Sequence, residues 1–166
     1  KYMLRAFAHQ HPDPLHVVTA LNAALFDYLP TESFITLVYF LIDVDTHRMS
    51  YVNAGHETSL VLCREEQVIR EIGPSGPMLG VTSSVGYTKG WAVLEPDDYL
   101  FCYTDGLVDV RTNGDRYGFA RLKKTLALSP GEDAKQLMDS VMNSVQGCGA
   151  AKQTDDQVVV IVRPLV

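Results

Sequence analysis

From Leu15 to Leu29 the apolar residues Val17, Val18, Leu21, Ala24, Leu25 and Tyr28 recur at helical spacing, directly after Asp13 and Pro14. Asp13 suits the cap and Pro14 the first turn, where a missing N–H costs nothing. The pattern then changes. Ser33 to Ile42 is aromatic, β-branched and almost continuously apolar, which predicts a strand covered on both faces. Met49–Asn53, Ser59–Cys63 and Gln67–Arg70 follow as short strands close enough in sequence to form an antiparallel meander.

Ile72 to Gly80 carries Gly73, Pro74, Gly76, Pro77 and Gly80, a density that predicts a shaped loop of structural role. Gly86–Leu94 and Tyr99–Tyr103 read as strands across the turn Glu95–Asp98, the second of them central. Gly118–Leu128 and Asp133–Val145 have helical periodicity, with Gly147-Cys148-Gly149 closing the latter. Gln157–Val162 reads as a buried strand, and Trp91 as a core residue.

Strands in hairpin order, with helices before and among them, argue against a doubly wound parallel sheet. The expected class is α+β: a four-layer α/β/β/α sandwich of two antiparallel sheets flanked by helices, missing its first strands. A chain of 166 residues is expected to be a single domain over residues 1–166. Lys1 in place of an initiator Met leads us to expect an excised fragment.

Charge narrows the partners. With 14 basic and 20 acidic side chains the net charge is -6, so nucleic acid is not an expected partner. No apolar stretch reaches the roughly 20 residues that span a bilayer, so no membrane partner is expected either. Cys63, Cys102 and Cys148 are odd in number and lack metal-type spacing, which suits a reducing, cytoplasmic location.

The acids fall at strand ends. Thr104-Asp105-Gly106 follows Tyr99–Tyr103, and Thr154-Asp155-Asp156 precedes the last strand. If these strands are antiparallel neighbours, Asp105 converges with Asp155 or Asp156 at one sheet edge. Two carboxylates about 4 Å apart repel by roughly 4 kcal/mol at an effective dielectric near 20, unless they share a proton or a cation. An all-oxygen cluster favours Mg²⁺ or Mn²⁺ over zinc. Taken singly, each motif also reads as ordinary turn or cap chemistry.

Four ordered motifs carry a resemblance: Tyr51-Val52-Asn53-Ala54-Gly55-His56, Gly76-Pro77-Met78-Leu79-Gly80, Tyr103-Thr104-Asp105-Gly106-Leu107-Val108-Asp109, and Asp155-Asp156 before a Val-rich strand. The chain resembles the SpoIIE-like bacterial serine phosphatases of the type-2C, Mg²⁺/Mn²⁺-dependent superfamily, from about Leu15 onward. It corresponds to roughly the C-terminal three-quarters of such a domain.

The resemblance implies a metal-dependent phosphoserine/phosphothreonine protein phosphatase of a bacterial signalling protein, using two Mn²⁺ or Mg²⁺ ions and a metal-bridging water. Asp105 matches the ligand of the Thr-Asp-Gly motif and Asp155 that of the later acidic pair, with Asp156 in reserve and Asp109 as a further metal candidate. Asn53 and His56 are candidate substrate-binding residues, with a Gly55-permitted turn as the alternative. The implied partner is a phosphorylated protein, such as an anti-sigma-factor antagonist, and a homodimer would cover an exposed sheet edge. The family's first Asp-bearing strand and Asp-Val-Ser-Gly-His-Gly-like segment have no counterpart here. The fragment is therefore expected to hold metal poorly and to be inactive alone, or else to be a non-catalytic, partner-binding pseudophosphatase domain.

Overall fold

A computed structural model describes residues 1–30, 32–84, 86–112, 115–129, 133–147 and 155–164. The described chain forms two compact units. The first comprises Lys1–His56 and Gly73–Val93, and the second Glu57–Ile72 and Leu94–Val166.

The first unit opens with helices α1 (Tyr2–Gln10) and α2 (Pro14–Tyr28). The Asp13 carboxylate caps α2 by accepting from the Leu15 N–H at 2.9 Å, as the Asp-Pro start predicts. Strands β1 (Leu37–Ile42), β2 (Arg48–Ala54) and, much later, β5 (Gly90–Val93) make an antiparallel sheet in the order β1-β2-β5. Val18, Leu21 and Leu25 of α2 pack with Val52, Ala54, Leu79 and Tyr87, and Leu4 and Phe7 of α1 lean on that core. Asn22, buried in α2, donates to the Thr82 carbonyl and accepts from the Gly80 N–H, both at 2.9 Å. A helix amide thus holds the Gly/Pro loop in place, and Gly80 meets the turn at φ +84°.

The second unit holds β3 (Ser59–Cys63), β4 (Val68–Ile72), β6 (Tyr99–Tyr103) and β9 (Val159–Val162) in the order β4-β3-β6-β9, all antiparallel. Between β6 and β9 run the short helix α3 (Asp105–Val108), the hairpin β7 (Arg111–Thr112) and β8 (Asp115–Arg116), and helices α4 (Gly118–Leu128) and α5 (Ala134–Gln146). Leu122, Leu126, Leu137, Val141 and Val145 of the helices bury against Leu60, Leu62, Tyr99, Phe101 and Tyr103 of the sheet. Asp133 caps α5 by accepting from the Gln136 N–H at 2.7 Å. Burying this apolar face, at about 25 cal/mol per Å², is what makes helices and sheet one unit.

Two antiparallel sheets, each carrying helices, agree with the expected α+β class, and β6 lies inside its sheet as expected. Several readings are corrected. β1 to β4 are not one meander, because β1-β2 and β3-β4 are hairpins of different sheets. β1 and β9 pair on one side only among the described residues, and both are half-exposed, with Val160 at 50 %. An apolar run measures side-chain character; it does not say whether a neighbour sits on both sides of the strand. The strand predicted from Gly86 begins only at Gly90. Trp91 is 66 % exposed, lying on the short strand β5 with the Lys89 ammonium over its ring at 4.7 Å. Thr154, Cys148 and Gly149 lie outside the described residues.

Candidate metal edge

The register between β6 and β9 brings Tyr103 opposite Val159. The segment leaving β6 and the segment entering β9 therefore emerge at one edge, as the strand-end acids predict. Beyond the last pair the chains stay stitched. Thr104 N–H donates to the Val158 carbonyl at 3.0 Å, and the Thr104 hydroxyl accepts from the Val158 N–H and donates to the Asp156 carbonyl, both at 2.9 Å. Thr104 is extended, at φ -92° and ψ 157°, and α3 starts with the next residue.

Gly106 makes the approach feasible. A Cβ there would stand 2.5 Å from the Asp156 carbonyl oxygen and 3.3 Å from the Asp155 carbonyl carbon. Any larger residue would push the 155–156 segment off the β6 end. The Gln157 amide donates to the Gly106 carbonyl at 3.1 Å and closes the contact from the other side. A main-chain clamp thus carries Asp105, Asp155 and Asp156 to a common edge.

All three acids are exposed. Asp105 accepts from the Gly106 N–H at 2.9 Å, and Asp155 from the Asp156 N–H at 2.7 Å. Each carboxylate is oriented by its following peptide, which fixes its direction. Just behind them, Tyr103 is buried with no hydrogen-bond partner for its phenol among the described residues, and burial pushes its pKa up, helped by the nearby charges of Glu57 and Glu71. That hydroxyl is held neutral and adds no charge to the edge.

Asp109 sits one turn further on, its N–H donating to the Asp105 carbonyl at 2.8 Å. Its carboxylate is ion-paired with Arg116. The sequence shows both residues but not their pairing, which depends on the β7–β8 hairpin folding Arg116 back.

Asn53 and His56 lie in the first unit. Asn53 is fully buried, and its side-chain oxygen accepts from the His56 N–H at 2.8 Å. Gly55 turns there at φ +67°, and a Cβ at this position would stand only 2.5 Å from the Met78 side chain. The His56 Nδ1 is 3.1 Å from the Thr36 hydroxyl. The motif shapes a turn through its own polar groups.

The donor chemistry fits part of a hard-cation site: oxygen ligands only, oriented and open to solvent. Among the described residues no three His, Cys, Asp or Glu side chains gather into a group able to hold a metal. Clefts lie elsewhere among the described residues. One, of about 470 Å³, is lined by Arg64, Leu126 and Ser129, and another, of about 670 Å³, by Asp13, Lys89 and Trp91; neither is lined by Asp105, Asp155 or Asp156. Among the described residues no helix is long and apolar enough to cross a membrane.

Residues 1–164 match the sequence profile of the family described as Stage II sporulation protein E (SpoIIE). The chain is similar to Protein IcfG of Synechocystis, at 33 % identity over 118 residues, covering 66 % of this chain and 18 % of that protein. It is also similar to the phosphoserine phosphatase RsbU of Bacillus subtilis, at 22 % identity over 163 residues, covering 98 % of this chain and 49 % of that one. The chain thus spans half or less of these relatives. Among solved structures, the SiaA-PP2C domain of Pseudomonas aeruginosa superimposes with a TM-score of 0.82 at 14 % identity, over 98 % of this chain and 65 % of that one. A structure of RsbX in complex with magnesium does so at 0.65 and 14 % identity, over 96 % and 69 %. These likenesses establish the fold.

Proposed function

The chain belongs to the SpoIIE family, and on that premise we propose that it is the greater part of a metal-dependent phosphoserine/phosphothreonine protein phosphatase domain acting in bacterial signalling. The observation that carries this reading is the β6–β9 edge, where Thr104 and Gly106 clamp the Asp105 turn against Asp155 and Asp156. A phosphatase among the relatives and magnesium in RsbX support it.

Asp105, Asp155 and Asp156 would hold the cation, Mn²⁺ or Mg²⁺, with further ligands from outside the described set. Once bound, such ions supply neutralisation of phosphoryl oxygens and a water of lowered pKa. What this chain contributes is positioning. The Gly106 and Asp156 peptides orient two carboxylates at rest, so little reorganisation is needed when charge develops at phosphorus. The exposed carboxylates are open to a phosphorylated side chain of a protein. A phosphorylated anti-sigma-factor antagonist is the substrate class of this reading, and the cytoplasm its compartment.

The test is hydrolysis of p-nitrophenyl phosphate with and without Mn²⁺, on this chain and on the full-length gene product that contains it. We expect Mn²⁺-dependent turnover in the full-length protein and a drop of at least about a hundredfold in Asp105→Asn, with the unfolding midpoint unchanged. Mn²⁺-independent turnover, or an Asp105→Asn variant as active as the parent, would overturn the assignment. Full-length protein that folds but hydrolyses nothing would favour the partner-binding alternative.

A further inference from the structure

Beside the acidic edge the chain places two arginines where charge repulsion alone would not. Arg111 and Arg116 are direct cross-strand partners in the β7–β8 hairpin, so their side chains leave the same face. Like charges in that position weaken a hairpin, and the chain as a whole is acidic, at -6. Arg116 is ion-paired with Asp109. Arg111 is exposed, and among the described residues no carboxylate pairs with it.

The base of the hairpin is firm. The Tyr117 N–H donates to the Val110 carbonyl at 2.8 Å, and Val110 and Tyr117 are each 2 % exposed. The Tyr117 hydroxyl is 3.1 Å from both the Thr125 and the Ser144 hydroxyls, which lie 2.9 Å apart, tying the base to α4 and α5. Asp109 is joined to Asp105 through one turn of backbone, a rise of about 5 Å. Arg116 is thus paired with a residue one helical turn along the chain from Asp105, and Arg111 stands opposite Arg116.

We infer that Arg111 and Arg116 form the anion-binding element of this site and receive the phosphoryl group of the phosphorylated substrate, with Asp109 as the positioning residue that orients Arg116. The inference rests on the phosphatase reading above and adds the residues that recognise the phosphate. Two guanidinium forks on one face match a dianionic phosphate monoester by charge and by geometry, which a lysine pair would match by charge alone. The carboxylate of Asp109 pairs with Arg116 only, so among the described residues the Arg111 guanidinium keeps its donors for the anion.

The experiment is binding of inorganic phosphate to the full-length protein, followed by ³¹P line width in EDTA so that neither metal nor turnover enters. We expect Arg111→Gln and Arg116→Gln each to weaken binding at least about fivefold, and Arg111→Lys to weaken it less. Circular dichroism checks that each variant is folded, and Arg111, exposed on the hairpin, is the variant least able to unfold the chain. Absence of phosphate binding in the parent, or binding indifferent to both Gln substitutions, would overturn the inference. Failure of the phosphatase reading shows separately, as missing Mn²⁺-dependent hydrolysis in a protein that still binds phosphate through its arginines.

Discussion

Two strand ends use nearly the same vocabulary to opposite effect. β2 ends in Asn53-Ala54-Gly55-His56 and β6 in Thr104-Asp105-Gly106, each a short polar side chain with a glycine within two residues. At the first, Asn53 is fully buried and its oxygen is consumed by the His56 N–H. At the second, Thr104 does the stitching through its hydroxyl, and Asp105 stays exposed with Asp155 and Asp156 beside it. The clamp and the carboxylate are separate residues in the second turn, while in the first the buried amide itself bonds the turn. That division of labour leaves a charge at the β6 end available for chemistry.

The glycines test the comparison most severely. A methyl at Gly106 meets the Asp156 carbonyl at 2.5 Å, and one at Gly55 meets Met78 at 2.5 Å in a backbone with φ +67°. Each Gly→Ala substitution is expected to cost about 2–3 kcal/mol in urea unfolding. The two should differ in activity. Gly106→Ala displaces the acidic edge and should abolish Mn²⁺-dependent hydrolysis even in the folded fraction, whereas folded Gly55→Ala should retain it. Equal retention in both would mean that the two turns serve the same, purely structural, purpose.

A gentler pair separates buried from exposed polar groups. Asn53→Ala removes a fully buried acceptor and strands the His56 N–H, so a loss of about 1–3 kcal/mol is expected. Asp155→Asn, at an exposed position, should change stability by less than about 0.5 kcal/mol while lowering activity. Chemical denaturation and the p-nitrophenyl phosphate assay read the two quantities independently. A stable Asn53→Ala with impaired turnover would return Asn53 to the substrate-binding role its motif suggests.

The same contrast explains how much of the molecule is legible in its sequence. That the segments of Asp105 and of Asp155–Asp156 leave one sheet edge is legible, because two apolar runs bounded by acids need only be antiparallel neighbours to do so. The Asp13 cap and the α5 stripe are equally plain, being local. Trp91 is exposed where a core position is expected because strand character does not reveal an edge, and β1 and β9 differ from expectation for the same reason. The split of the early hairpins between two sheets depends on the long return from β4 to β5, which leaves no periodic signal. Arg116 carries no signal of its own because its partner Asp109 lies across a two-residue ladder, and an ion pair of that kind is a product of the fold.

The smallest effect concerns a carboxylate wholly committed to structure, the first unit's counterpart to the exposed acids of the second. Lys89 bonds Asp13 at 2.8 Å and holds its carboxyl below the ordinary aspartate value near 3.8, against the opposing pull of burial. A lowered folded pKa means that the pair stabilises the protein fully above that ordinary value and fades as pH falls through the folded one. Lys89→Met should therefore cost under about 1 kcal/mol at neutral pH, with the difference from the parent shrinking below about pH 4. Because Lys89 also lies over the chain's single tryptophan, Trp91 emission should shift in the variant at neutral pH and report the same site. A gap between parent and variant that persists unchanged in acid would show that packing on Trp91, and not the Asp13 charge, is what Lys89 contributes.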